Sequence, residues 1–401
     1  MDAHAERLLE TLNENGYEAF VVGGCVRDAL LGLAPKDWDI TTNATPDAVS
    51  ACFSSYPQLT QGLRHGTVTV LYRHMPYEIT TYRTESGYTD HRHPDEVSFT
   101  KSLREDLSRR DFTINAMAYH PKLGLRDYFG GLEDLSRGII RCVGQAQARF
   151  EEDALRILRA LRFACRYRFT LAPDCAQGVL ALRVLLPQLS PERIFSELTE
   201  ILTADDGKIL LQFAPVFAKA LRLENTQGSP DFAKYVRAAA QVPEMADRLV
   251  LLLWSVPRED LARHLQALRC PRRILQLVVN RREAAQLPFS NADWPLWLIQ
   301  WGEECLAHAL RIAGALQSWD PGCRRTYETQ LRQAVRSCPC TNLSQLRVNG
   351  RDLRELGIGP SAGLGNLLQE LLLTAARGRV KNEREPLLEL ARKLWQEKAA
   401  E

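Results

Sequence analysis

Residues 20–49 read FVVGGCVRDALLGLAPKDWDITTNATPDAV, and the order of residue types in this run decides how the first part of the chain folds. A β-branched and aromatic strand runs into Gly23-Gly24, a helix starts over Val26 to Leu31, and a second strand candidate, WDITT, follows. Asp37 and Asp39 lie two apart in that strand, so their carboxylates leave one face with Cα atoms roughly 6.5–7 Å apart. Two acids so placed repel each other. A cation between them relieves the repulsion, and paired Mg²⁺ ions shared with substrate phosphates are the usual occupants. Taken alone, the pair reads more readily as exposed acids at a strand end. Thr45-Pro46-Asp47 then has the form of a helix start.

The segment upstream of the acids supplies the complement. Glycines let backbone N–H groups approach a phosphate, a helix N-terminus adds its positive end, and Arg27 on the first turn adds charge. Gly23-Gly24 followed by an acid pair on a strand therefore suggests a triphosphate cradle beside a metal site. Glu78, in YEITTYR, points away from its apolar neighbours Tyr77 and Ile79 and offers a third carboxylate, as a metal ligand or as a base for an attacking hydroxyl.

The 401 residues predict two or more domains. With 45% apolar and 25% charged residues, the composition is that of a soluble globular protein, and no apolar run approaches the roughly 18 residues of a membrane span. MDAHAERLLETLNENGYEAF reads as an amphipathic helix ending at Gly16 and not as an export signal. The ten cysteines are scattered, which suits buried thiols in a cytoplasmic compartment. A net charge of +2 conceals a local excess of arginine at 104, 109, 110, 156, 159, 162, 166 and 168. Such a patch suits a polyanion partner, with intrachain salt bridges as the alternative.

Up to about residue 130, AFVVGG, WDITT, GTVTVLY and YEITTYR alternate with helical stretches, the pattern of an α/β unit. From about Gln145 the chain reads as helices, among them ARFEEDALRILRALRFACRYR. Turn residues cluster near Pro173, in NTQGSPD (225–231) and in CPCTNLS (338–344). The polar stretch 83–108, containing His91 and His93, reads as a flexible loop. In RRDFTINAMAY, Asp111 has the position of a cap for a helix over Phe112 to Tyr119. On one continuous helix, Asp153, Arg156, Arg159 and Arg166 share a broad face opposite Ala154, Leu158, Leu161 and Cys165.

GGCVRDALLGLAPKDWDITTNATPDAV, HGTVTV, SLREDLSRRDFTINAMAY and EEDALRILRALRFACRY together resemble the class II nucleotidyltransferases, the family of bacterial tRNA CCA-adding enzymes and poly(A) polymerases. The resemblance runs from residue 20 to 170, loosens through SPERIFSELTEIL, and returns at 348–391; residues 210–340 carry none. It implies a polymerase-β-like α/β nucleotidyltransferase head over 1–140. All-α neck (141–205), body (206–338) and tail (339–401, tRNA binding) domains follow. It also implies that Asp37 and Asp39 hold Mg²⁺, with Glu78 alongside, and that Gly23, Gly24, Arg27, Arg110, Asp111, Asn115, Asp153, Arg156, Arg159 and Arg162 bind the nucleotide.

The same resemblance makes Asp153 and Arg156 readers of the base. A carboxylate accepts from the exocyclic amine of cytosine or adenine and a guanidinium donates to the adjacent ring nitrogen, whereas guanine and uracil present the reverse pattern. The implied activity is template-independent addition of C, C and A to the 3′ end of tRNA from CTP and ATP, releasing pyrophosphate. The length of the 83–108 loop favours an enzyme able to add the terminal A. Alternatives within the family are a poly(A) polymerase or an enzyme adding only A. The alternative outside it is a non-catalytic RNA-binding protein, which would have no need of clustered acids that repel RNA.

Overall fold

The computed structural model describes residues 1–59, 61–87, 96–223, 230–358 and 362–400. The chain folds into two compact units, Met1–Gln227 and Gly228–Glu401, and the division falls within NTQGSPD.

Unit 1 begins with α1 (Ala3–Glu14), started by the Asp2 carboxylate, which accepts from the His4 N–H. There follow β1 (Ala19–Val22), α2 (Gly24–Leu30), β2 (Ile40–Thr42), α3 (Pro46–Cys52), β3 (Gln58–Leu59), β4 (Thr67–Tyr72) and β5 (Met75–Thr81). Next come β6 (Arg83–Ser86), β7 (Glu96–Phe99), α4 (Leu103–Ser108), β8 (Met117–His120), β9 (Gly124–Asp127) and α5 (Gly131–Arg137). Seven strands form one mixed sheet in the order β3-β4-β5-β2-β1-β8-β9. Only β2 and β5 run parallel.

β1 lies inside the sheet because its four residues, AFVV, are apolar towards both faces, and all four are buried. Phe20 and Val22 enter a core with Tyr82, Leu107, Ala118 and Val143, each contributing roughly 1.5–3 kcal/mol by its burial. The antiparallel pairing of β1 with β2 positions the site. Val21 lies opposite Ile40, so the end of β1 that carries Gly23 meets the beginning of β2.

Four local expectations are corrected by the fold. Asp37 and Asp39 precede β2 instead of lying within it; only the Asp39 carbonyl extends the ladder, accepting from Val22 N–H at 3.0 Å. FTINAMAY is not a helix. A 3₁₀ turn (Thr113–Asn115) leads into β8, because Met117 and Ala118 are needed as a buried strand between β1 and β9. The expected loop 83–108 contains an antiparallel pair, β6 with β7, and the helix α4, capped by Ser102. His91 and His93 lie outside the described residues. Finally, the helix expected through residue 153 is broken there. Asp153 is extended (φ −135°, ψ 101°) and its carboxylate takes the Leu155 N–H at 3.0 Å, which separates α6 (Ala146–Glu152) from α7 (Leu155–Tyr167).

Two short parallel strands, β10 (Ile139–Ile140) and β11 (Thr170–Leu171), flank these helices. α8 (Pro173–Ala181), α9 (Pro191–Ala204), α10 (Lys208–Gln212) and α11 (Ala214–Ala220) complete unit 1. The stripe of Ala154, Leu158, Leu161 and Cys165 is buried as its spacing requires, and α7 packs along α9.

In unit 2 every regular element among the described residues is helical: α12 (Pro230–Ala240), α13 (Met245–Leu252), α14 (Arg258–Ala267), α15 (Arg272–Ala284), α16 (Trp294–Gln317, interrupted at Gly302), α17 (Pro321–Ser337), α18 (Gly350–Glu355), α19 (Ala362–Ala376) and α20 (Arg384–Ala400). Its charged interior is paired, Asp247 taking Arg281 and His308 at 2.8 Å each. All ten cysteines of the chain are free thiols. No helix among the described residues is long and apolar enough to cross a membrane.

Candidate active site

Gly23 is held at φ 80°, ψ −127°, a conformation that side chains disfavour. A Cβ there would also lie 2.9 Å from Arg110 Nη1. The glycine therefore lets the Arg110 guanidinium rest against the backbone turn that opens α2. Arg110 Nε is buried and has no hydrogen-bond partner among the described residues, a donor left for an incoming acceptor.

Across the turn stand the acids. Asp37 is exposed and Asp39 half-buried. Burial, reinforced by the Asp37 charge, pushes the Asp39 carboxyl up to about 6; Arg110 opposes the shift and Glu78 adds to it. The parallel register that sets Ile40 beside Ile79 brings Glu78 alongside Asp39 when continued one residue back. Glu78 itself is exposed, and no group of three or more His, Cys, Asp and Glu side chains among the described residues is arranged to hold a metal ion. Asp37 and Asp39 nevertheless fit a hard divalent cation, because both offer carboxylate oxygens and their mutual repulsion leaves the site short of positive charge.

Arg109 and Arg110 are held by Asp106, which is fully buried. Its carboxylate accepts from Arg109 Nε and Nη2 at 3.1 and 2.9 Å and from Thr41 Oγ1 on β2 at 3.1 Å, and lies 3.6 Å from Arg110 Nη2. Burial pushes the Asp106 carboxyl up, but Arg109 and Arg110 outweigh it and the net shift is downward. Glu85 on β6 takes Arg109 Nη1 at 2.8 Å.

A second chain of contacts joins α2 to α7. The buried Arg27 donates from Nη1 to Asn115 Oδ1 and from Nε to Asp28 Oδ1 at 2.9 Å. Its guanidinium lies 5.1 and 4.9 Å from the ring centres of Phe163 and Tyr167, and the Tyr167 hydroxyl donates to Asp28 Oδ1 at 2.9 Å. Asn115 Nδ2 donates to Asp111 Oδ1 at 3.0 Å. Asp111 Oδ2 accepts from Arg159 Nε and Nη2 at 2.9 and 2.6 Å. Burial raises the Asp111 carboxyl, but Arg159 and the Asn115 bond outweigh it and bring it down to about 2.

The structure thus brings Gly23, Gly24, Arg27, Arg110, Asp111, Asn115 and Arg159 into one connected region beside Asp37 and Asp39. It does not pair Asp153 with Arg156 side chain to side chain. With the helix broken at 153, Arg156 Nη1 donates to Glu152 at 2.7 Å and Nη2 to the Arg109 carbonyl at 3.3 Å. Asp153 lies 3.7 Å from Arg193 on α9. Arg162 lies 2.9 Å from Glu197 on the same helix. Asp28, Asp106, Glu152, Phe163, Tyr167 and Glu197 were not singled out from sequence. Two of these carried a legible signal there, Asp106 in its i,i+3 and i,i+4 spacing to Arg109 and Arg110 and Glu152 in its i,i+4 spacing to Arg156.

A mixed sheet that brings a glycine turn, a helix N-terminus and an acid pair together at one end of its adjacent inner strands β1 and β2 defines a polymerase-β-like nucleotidyltransferase, and residues 19–141 match the family described as Poly A polymerase head domain. Residues 241–391 match a second family, tRNA nucleotidyltransferase domain 2 (putative), which covers most of the stretch that carried no resemblance. A CCA-adding enzyme of Lactobacillus delbrueckii subsp. bulgaricus is 36% identical over 387 residues, 95% of each chain. One from Geobacillus stearothermophilus is 34% identical over 392 residues, 94% of this chain and 93% of its own. The crystal structure of the Bacillus stearothermophilus CCA-adding enzyme in complex with CTP superposes with a TM-score of 0.77 at 31% identity, covering 100% of both chains. The chain belongs to the family of CCA-adding enzymes.

Proposed function

We propose that this enzyme adds C, C and A to the 3′ end of tRNA, using CTP and ATP and releasing pyrophosphate. The observation that carries the reading is the acid pair of Asp37 and Asp39 beside the Gly23 turn, with Arg110 resting against that turn and acting electrostatically on Asp39. Full-length relatives named CCA-adding enzymes support the substrate set, as does the CTP complex of one of them. The tRNA nucleotidyltransferase family matched by residues 241–391 supports tRNA as the primer.

In this reading Asp37 and Asp39 hold Mg²⁺, which when bound would supply Lewis-acid activation of the primer hydroxyl and charge neutralisation at the triphosphate. The Gly23-Gly24 turn and the start of α2 receive the triphosphate through backbone N–H groups, and Arg110 donates to it from its unpartnered Nε. Asp111 and Asn115, fixed by Arg159 and Arg27, lie where a ribose contact would favour NTP over dNTP. The 3′-OH then attacks the α-phosphate in line and the bond to pyrophosphate breaks. Asp153 and Arg156 read the amino and ring-nitrogen edge shared by C and A, which requires them to exchange their present partners, Arg193 and Glu152, for the base. Arg162 and Glu78 complete the proposed site.

We divide the chain for this purpose into a catalytic head (1–140), a base-reading neck (141–205), a body (206–338) and a tRNA-binding tail (339–401). The ten free thiols support work in a reducing, cytoplasmic compartment. Primer extension tests the function. On tRNA transcripts ending in the discriminator base, in C and in CC, with Mg²⁺, CTP and ATP, each chain should be completed to CCA and no further. Addition of A alone to the CC-ending transcript, long A tracts on any RNA, or no Asp37-dependent incorporation would each overturn it.

A further inference from the structure

Helix α17 in unit 2 has a charge pattern that its own fold does not use. Pro321–Ser337 contains four arginines and a single acid, Glu328. Arg324 takes that acid at 2.8 Å, which leaves Arg332 at 3.8 Å from it. Arg325 and Arg336 have no carboxylate within ion-pair distance among the described residues. At 3.6 residues per turn, positions 325, 332 and 336 fall within about 40° of arc, rising by about 10 Å and then about 6 Å along the axis. All three are exposed, as are Thr329 and Gln333 beside them.

Elsewhere in unit 2 many arginines are committed to partners. Arg281 and Arg282 are buried against Asp247 and against the carbonyls of Leu253, Trp254 and Val256. Arg258, Arg377 and Arg384 pair with Glu283, Asp293 and Asp352. On α17 the buried side is held instead by Leu331 and Ala334, so the arginines do not serve the packing of the helix. The ridge borders a shallow concavity of about 510 Å³ bounded by Thr329, Arg332, Gln333, Arg336 and Ser337. On the other flank of Gln333 lies another of about 500 Å³, to which Ser290, Asn291 and Gln330 contribute.

We propose that the Arg325, Arg332 and Arg336 face of α17 binds the phosphate backbone of RNA. Guanidinium groups spaced by whole helical turns meet successive phosphates of one strand, while the flanking amides and hydroxyls suit ribose 2′-OH groups and phosphate oxygens. Such contacts are indifferent to sequence, as an enzyme serving many tRNAs requires. The proposal rests on the reading of tRNA as primer and identifies a surface of unit 2 that holds it.

The test compares the full-length enzyme with the triple variant R325A/R332A/R336A and with the triple lysine variant. Affinity for a tRNA transcript ending in CC is read by fluorescence anisotropy from 50 to 300 mM salt, and steady-state addition of A is measured in parallel. The alanine variant should bind roughly tenfold or more weakly at low salt, with a log–log salt slope shallower by about 2–3. Its KM for ATP and its kcat at saturating tRNA should be unchanged, and the lysine variant should recover most of the affinity. Unchanged affinity and slope in the alanine variant would overturn the proposal and leave the ridge to an acidic protein partner. Lysines no better than alanines would also overturn it, since a phosphate contact needs only the charge. Failure of the wild-type enzyme to add any nucleotide would sink the transferase reading instead, and the anisotropy would still report on the ridge.

Discussion

Asp111 and Arg159, 48 residues apart in sequence, are joined through one carboxylate oxygen that accepts from both Nε and Nη2 of the guanidinium. The pair ties the RRD segment of the sheet unit to α7. Replacing Asp111 with Asn keeps the shape and removes the charge. The loss should cost roughly 1–2 kcal/mol at neutral pH, discounted because a third of the Arg159 side chain is exposed. The Asp111 carboxyl is held below its unfolded value, so the pair stabilises fully above about pH 4 and the contribution fades as pH falls towards 2. Urea melts should therefore show a gap between wild type and Asp111→Asn that is constant from pH 5 to 7 and narrows below 4. A gap that widens on acidification would contradict the pairing.

Asp39 has the opposite sign. Its carboxyl is raised to about 6, so the folded state holds a proton that the unfolded chain has already lost, and stability declines as pH rises from about 4 through 6. Asp39→Asn should accordingly melt higher than the wild type at pH 7.5 without divalent cations, by roughly 1–3 kcal/mol. It should be inactive. Added Mg²⁺ should raise the melting temperature of the wild type and leave that of the variant unmoved, a difference that differential scanning calorimetry reads directly.

The part of the site formed by near neighbours in sequence was legible beforehand. The Gly23 turn and the acids before β2 are separated by one short helix, and an antiparallel pairing of β1 with β2 necessarily brings them together. FTINAMAY was misread because an apolar run of that length has no decisive period; its position between β1 and β9 selects the strand. Asp153 was misplaced because a helical wheel assumes an unbroken helix, whereas its own carboxylate competes for the Leu155 N–H and ends α6. Tyr167 and Phe163 looked like ordinary core positions of α7. Their contact with Arg27 depends on how α7 docks on α2, which no local pattern encodes.

That docking gives Tyr167 a positioning role. Its hydroxyl fixes Asp28 and its ring backs the guanidinium of Arg27, which in turn orients Asn115. Tyr167→Phe removes one hydrogen bond, worth about 1 kcal/mol, and should lower kcat/KM for CTP about fivefold or less. Tyr167→Leu also removes the ring and should lower it roughly tenfold to a hundredfold. The larger share should fall on the nucleotide KM, with the KM for tRNA little changed. Equal effects of both variants would show that the ring contributes nothing.

Gly23 permits the sharpest local test. Alanine at this position must adopt φ near 80° and place its Cβ 2.9 Å from Arg110 Nη1. The backbone strain costs about 1–3 kcal/mol, and the guanidinium, being the end of a flexible side chain, moves aside. Displacing Arg110 withdraws a buried Nε donor that has no partner among the described residues and moves a charge that acts on Asp39, so the activity should fall further than the stability. Gly23→Ala should lose roughly a hundredfold in kcat/KM for both CTP and ATP while melting only a few degrees lower. A variant whose loss of activity merely tracks its loss of fold would show that the glycine serves the turn alone.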